Sequence, residues 1–220
     1  MYQWDFSFLW SSRWLFLQGL GVTIAFTIAI VVLGLMIGLS SALANLSRFA
    51  VPRWLSLAYI EVFRCTPVLV QLVWFYYALP VLSGIEISAI TASVLALSLY
   101  GGSFYSEIIR GGIVSIDPGQ REAGAALGMT PGQTMRRIIL PQALKRMVPP
   151  LMNQSIIQFK NTSLVSVLAV PDLLYQGQIA AHDSYRPLEV YTAVAIAYFV
   201  ILFPLTAIVR HGEKKLSSSD

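Results

Sequence analysis

The sequence predicts an all-α integral membrane protein: five transmembrane helices, with the N-terminus outside and the C-terminus inside. Three observations carry this. The 220 residues are 56% hydrophobic and only 12% charged, with a mean hydropathy of +0.67, whereas soluble domains run near 25% charged. Charge-free stretches of about 18 or more residues, the length that crosses a bilayer, recur along the chain, one of them interrupted only by Lys160. Lys and Arg gather in alternate connecting segments, as the positive-inside bias requires. The whole chain, 1–220, reads as a single transmembrane domain.

The first span, about 18–46, is "GLGVTIAFTIAIVVLGLMIGLSSALANL" with its flanks. Its apolar run is far longer than the core of a signal peptide, and Asp5 and aromatics precede it where a basic region would stand, so it reads as an uncleaved anchor. Gly34 and Gly38 form a small-xxx-small pair suited to close helix contact. The second span, about 60–83, contains "CTPVLVQLVWFYYALPVLSGI"; the third, about 87–107, contains "ISAITASVLALSLYGGSFYS". The fourth covers about 147–170. The fifth, about 189–210, contains "VYTAVAIAYFVILFPLTAIV". Trp4, Trp10, Trp14, Trp54, Tyr2 and Tyr59 fall near span ends and read as interfacial belts, while Trp74, Tyr76 and Tyr77 suit either a belt or a ligand surface.

Five spans put the termini on opposite sides, and the basic residues choose which. With the N-terminus outside, the inner segments hold Arg48, Arg53, Arg110, Arg121, Arg136, Arg137, Lys145, Arg146, Arg210, Lys214 and Lys215. The outer segments hold only Arg13 and Arg186. The net charge of +4 is therefore a topology signal, and no nucleic-acid partner is expected. The single cysteine, Cys65, excludes a disulfide framework within one chain.

Between the third and fourth spans lies a polar cytoplasmic segment, 110–146, containing "REAGAALGMTPGQTMRRIILPQ". Asp117, Pro118 and Gln120 have capping-box spacing with proline at the first helical position. That helix should stop at Gly128. Thr130, Pro131 and Gln133 repeat the start, and Pro141 should break or kink the second helix. Two short helices joined by a sharp corner are expected. Arg121 and Glu122 flank a lining of small residues, Ala123, Gly124, Ala125 and Ala126. Such a surface suits either the lipid headgroups or close approach of another protein's groove.

These residues resemble a known family. "EAGAALG", nine residues, then "IILP" is similar to the Glu-Ala-Ala, three residues, Gly, nine residues, Ile-x-Leu-Pro signature of bacterial ABC-importer permeases, anchored here on Glu122, Ala123, Gly128, Ile138, Leu140 and Pro141. Gly124 departs from the consensus second alanine. "YIEVFRCTPVLVQL", "SEIIRGGIVSIDPGQREAGAALG" and "FKNTSLVSVL" look like the polar amino acid branch of that family, the histidine/glutamine/glutamate-type importers, with Cys65 in place of a usual glycine. The resemblance implies a type I importer permease fold in the bacterial inner (cytoplasmic) membrane, multi-pass, with no cofactor of its own and ATP bound by a partner. It implies that Arg121, Glu122, Ala123, Gly124, Ala125, Gly128, Met129 and Pro141 couple to that ATPase. The implied partners are two ATP-binding cassette subunits, a second permease forming a homodimer or homologous heterodimer, and a periplasmic or extracellular solute-binding protein.

Ionisable residues within a span cost about 2.5–3.5 kcal/mol each on insertion scales and need a reason. Lys160 lies near the middle of the fourth span and is followed by Asn161, Thr162 and Ser163. A lining of the translocation cavity is favoured over snorkelling, because about ten residues separate Lys160 from either span end; the local alternative is that Thr162 and Ser163 bond back to their own helix. By resemblance this patch matches the substrate pathway, where many members carry Asp in place of Asn161; its absence argues against a cationic substrate. Glu61 and Arg64, three apart, are expected to pair with each other, the alternative being that Arg64 faces the pathway or pairs with Glu107. Gln71, seven residues on, would extend a polar stripe along the same face.

No GxxxxGK[ST], GxSxG or HExxH motif is present, and His182 and His211 are far apart. The expectation is a non-enzyme: the permease subunit of an ATP-driven importer for a glutamate-, glutamine- or aspartate-like amino acid. A secondary amino acid transporter is the alternative, but such folds show repeated halves, and no internal repeat is visible.

Overall fold

A computed structural model describes residues 2–217, and every regular element among them is helical. A short α1 (Phe8–Ser11) leads into α2 (Arg13–Asn45), followed by α3 (Ala50–Cys65), α4 (Val68–Ser83) and α5 (Ala89–Val114). The polar segment forms α6 (Pro118–Ala126), α7 (Pro131–Thr134) and a π-helical turn, Met135–Ile139. Then come α8 (Leu140–Asn161), a 3-10 extension (Thr162–Leu168), α9 (Leu173–Ser184) and α10 (Pro187–Ser217).

Two helices, Arg13–Asn45 and Pro187–Gly212, are long and apolar enough to cross a membrane. Two further pairs qualify only when each bent pair is taken together. Residues 60–83, expected as one span, are broken by a 106° bend between α3 and α4. Thr66 and Pro67 are extended there, because a proline disfavours helical geometry in the residue before it and supplies no N–H. The second pair bends by 49° between the 3-10 extension and α9. The 26-residue α5 is not among these spans: serines and glycines that suit packing lower its hydropathy.

α5 is the central post. Ala92, Ala96, Leu97 and Tyr105 on it are fully buried. The expected small pair on α2 lets α5 approach: a Cβ at Gly34 would sit 3.1 Å from the Tyr105 ring, and one at Gly38 2.6 Å from the Tyr105 Cβ. One turn further on, Ser41, Ser56 and Ser106 hydrogen-bond across α2, α3 and α5 at 2.8 and 3.0 Å, each such bond contributing about 0.6 kcal/mol in a membrane interior. Tyr59, expected in an interfacial belt, also has an internal partner. Its hydroxyl donates to the Leu99 carbonyl at 2.5 Å and clamps α3 onto α5. Outward, α2 and α10 expose Ile28, Met36, Phe199 and Val200, an apolar surface suited to lipid.

Candidate coupling surface and translocation face

Local rules build the polar corner almost completely. Asp117 Oδ1 accepts the Gly119 N–H at 2.6 Å, and Pro118 opens α6. Gln120 does not close the expected box; its Oε1 instead accepts from Gln142 Nε2 of α8 at 3.2 Å. α6 ends in a Schellman motif, with Met129 N–H on the Gly124 carbonyl (3.0 Å), Gly128 N–H on the Ala125 carbonyl (2.9 Å) and Gly128 at φ 70°. The box at Thr130 and Gln133 closes in both directions, at 3.3 and 2.9 Å. Of the break or kink expected at Pro141, the break is absent: the proline is the second residue of α8, and the π turn precedes it. Widening that turn accommodates a proline ring that would otherwise press on the Arg137 carbonyl four residues back.

The corner is tied firmly to the helices behind it. Arg146 donates to the Ser115 carbonyl at 2.6 Å. Ile139, Ala143 and Met147 pack on Ile109, Ile113 and Ile116. Within α6 only Gly124 is buried. Its position faces α7, where a Cβ would lie 2.6 Å from Thr134 Oγ1 and 2.7 Å from its Cγ2. Arg121, Glu122, Ala123, Ala125, Gly128 and Pro141 are exposed, and Met129 is half-buried. Glu122 has no ion-pair partner among the described residues. Beside α6 runs a groove of about 570 Å³ lined by Leu46, Ile113, Arg121, Ala125, Met129 and Met135.

The expected pathway residues do not form one cluster. Glu61 does not pair with Arg64. Its Oε2 lies 3.5 Å from Cys65 Sγ, while Arg64 lies 3.6 Å from Glu107 and over the Phe104 ring at 5.4 Å. Glu107 is already held by Arg110 through two bonds of 2.8 and 3.1 Å, so a fork-to-fork pair on α5 leaves Arg64 only a long electrostatic contact. Gln71 is not on the Arg64 face, because the bend intervenes. It is buried, and its Nε2 donates to the Phe63 and Thr66 carbonyls and Thr66 Oγ1 at 2.9, 3.0 and 2.6 Å, capping the end of α3.

Around Lys160 the local alternative holds for two residues: Thr162 Oγ1 donates to the Phe159 carbonyl at 2.6 Å and Ser163 Oγ to the Lys160 carbonyl at 2.8 Å. Thr162 is fully buried. Asn161 Nδ2 donates to Gln158 Oε1 at 3.1 Å. Lys160 is exposed with no ion-pair partner among the described residues.

With this geometry in place, the relatives are informative. Residues 31–218 match the family described as "Binding-protein-dependent transport system inner membrane component". The chain belongs to this family. Among its similar members is the glutamine transport system permease protein of Escherichia coli (strain K12), 39% identical over 97% of this chain and 98% of the relative. The arginine transport system permease protein of Bacillus subtilis (strain 168) is 37% identical over 93% of each. The glutamate/aspartate import permease protein of Escherichia coli O6:H1 is 36% identical over 98% and 99%. A solved amino acid ABC transporter chain superposes with a TM-score of 0.91 at 37% identity, covering 97% of this chain and 100% of that one. A chain of a methionine ABC transporter in an inward-facing conformation shares the fold, with a TM-score of 0.72 at 24% identity.

Within this transport family's fold, some structural residues lay outside the expected site set. Gln158 is fully buried and donates to the Leu97 carbonyl at 2.8 Å; a Cβ on Gly101 would overlap it. Gln154, Gln158 and Asn161 recur at helical spacing, and that uncharged polar stripe was the available signal. Arg110 and Arg146 read as topology charges in sequence, but they act as structural ties.

Proposed function

We propose that the protein is one permease subunit of an ATP-driven amino acid importer in the bacterial cytoplasmic membrane, contributing half of a translocation pathway. The carrying observation is the corner formed by α6 and α7: a capped, proline-braced unit fixed to α5 and α8, presenting Glu122 and small side chains outward. Such a unit can transmit a push or pull without deforming. Two ATP-binding cassette subunits dock there, a second permease copy or homologue completes the pathway, and an external solute-binding protein delivers the substrate. ATP binds and is hydrolysed on the partner chains.

The topology is five crossings: α2, the bent α3–α4 pair, α5, the bent α8–α9 pair and α10, with the N-terminus outside. Support comes from the N-terminal segment, which reaches the start of α10 through Tyr2 to Glu189 at 2.5 Å and Arg186 to Asp5 at 3.6 Å. The beginnings of α2 and α10 therefore share one end of the molecule, as an even number of intervening crossings demands. The exposed cations Arg64 and Lys160 face the pathway from separate places, with Asn161 adjoining Lys160 and Glu61 and Gln71 near the bend between α3 and α4.

The substrate is a polar amino acid of neutral or acidic side chain. Relatives are named for glutamine, glutamate/aspartate and arginine; Asn161 in place of an aspartate, next to Lys160, disfavours a cation. The test is uptake of radiolabelled amino acids by proteoliposomes holding the full assembly and its binding protein. Glutamine or glutamate should dominate and require ATP. Dominant lysine or arginine uptake would refute the substrate class, and ATP-independent uptake driven by an ion gradient would favour a secondary transporter.

A further inference from the structure

Between the 3-10 extension and α9 the chain unwinds through Ala169, Val170, Pro171 and Asp172, with Ala169 in the left-handed region at φ 56°. The break lies inside the pair bent by 49°. Asp172 is fully buried there. Its Oδ1 caps α9 by accepting the Tyr175 N–H at 2.8 Å, but Oδ2 is buried without a hydrogen-bond partner. Two more buried oxygens share that condition: Gln176 Oε1, one turn along α9, and the Tyr198 hydroxyl on α10.

The three belong to one place. A Cβ built on Gly19 of α2 would lie 2.8 Å from Gln176 Cγ and 2.9 Å from the Asp172 carbonyl oxygen. Thr23, one turn on, accepts the Leu173 N–H at 3.0 Å. Tyr198 lies beside both Asp172 and Thr23. No cation among the described residues pairs with Asp172; Arg186 and Glu189, which open α10, are engaged with each other and with Asp5. The groups facing it are Gly19 and Thr23 from α2, Tyr175 and Gln176 from α9, and Tyr198 from α10, none of them charged.

An unpaired carboxylate in such surroundings costs several kcal/mol, whereas the neutral acid does not carry that penalty. The hydrogen count points the same way. Asp172 Oδ2 and Gln176 Oε1 have only the Tyr198 hydroxyl hydrogen to share, and that hydroxyl also faces Thr23; a proton on Oδ2 supplies a second donor. A hard metal cation would ask for about six oxygens or more, whereas Asp172 Oδ1 and Thr23 Oγ1 here already accept backbone N–H groups. We propose that Asp172 is a buried proton-binding site: a neutral carboxylic acid whose O–H donates to Gln176 Oε1, while Tyr198 donates to Asp172, locking the start of α9 against α2 and α10.

The test is infrared spectroscopy of the lipid-reconstituted full assembly at neutral pH. The wild type minus Asp172→Asn difference should contain a protonated-carboxyl C=O band, and Gln176→Leu should move that band to higher frequency by removing its acceptor. Asp172→Asn, which retains both a cap acceptor and a donor, should unfold thermally close to wild type, whereas Asp172→Ala should unfold earlier. A difference spectrum without the protonated band, or a band indifferent to Gln176→Leu, overturns the proposal. So does a rise in thermal stability with NaCl or KCl that Asp172→Asn abolishes, because that would make the site a metal site.

Discussion

Gly124 shows how a single side chain can look like one thing in sequence and another in space. As a departure from a small-residue consensus it reads as part of an outward docking surface. Instead it is the buried residue of α6, and a Cβ there would overlap Thr134. Overpacking of this kind costs about 1–3 kcal/mol, so Gly124→Ala should lower the thermal unfolding temperature of the detergent-purified assembly, and Thr134→Ser in the same chain should recover most of it. Gln71 makes the same point for polar residues. Seven residues from Arg64 would be one helical face, but Pro67 turns the chain between them. The donation of its amide onto the end of α3 predicts that Gln71→Leu destabilises by about 1–3 kcal/mol, measurable by the same thermal assay, with the loss arising at the bend rather than in substrate recognition. The Arg64 partner was open in sequence for a related reason. Helical spacing offered Glu61, while only tertiary packing brings Glu107 within 3.6 Å.

At the scale of elements, those with strong local chemistry were legible and those shaped by tertiary contact were not. The capped start of α7, the end of α6 at Gly128 and the long apolar α2 follow from caps, glycine and periodicity. The π turn before Pro141 does not, because nothing in a caps-and-breakers reading distinguishes a proline that ends a helix from one that widens it. Replacing Pro141 with alanine restores an N–H and removes the ring, so amide exchange across 137–141 should slow as the turn returns to α geometry. Faster exchange there would contradict this account of the turn. The N-terminal segment is likewise a tertiary feature: Tyr2, Asp5, Arg186 and the buried Glu189 join it to α10. A nitroxide at position 3 should be immobile in the wild type and mobile in Arg186→Gln. The Ser7 N–H holds the Asp5 carboxyl below its ordinary value of 3.8. A depressed folded-state value means this contact is fully present above 3.8 and is lost only as pH falls further, so nitroxide mobility should be flat near neutrality and rise in stronger acid.

For the whole molecule, composition and charge distribution carried the reading as a membrane protein and the resemblance of the motif from Glu122 to Pro141 carried the permease, while the way the polar residues are placed lay in contacts across helices. The polar residues expected along the pathway separate into a bend clamp (Gln71), Arg64 of α3 against the Glu107–Arg110 pair of α5, and a helix-to-3-10 junction (Asn161, Thr162, Ser163). The corner formed by α6 and α7 carries the central claim, that another subunit's ATP hydrolysis drives this chain through α6. Glu122 is exposed and has no ion-pair partner among the described residues, so Glu122→Lys should leave folding intact while reversing charge on the docking surface. The decisive measurement is ATP-driven uptake by proteoliposomes carrying Glu122→Lys in an assembly verified as folded. The account predicts loss of uptake together with loss of substrate-stimulated ATP hydrolysis; uptake at the wild-type rate would contradict it.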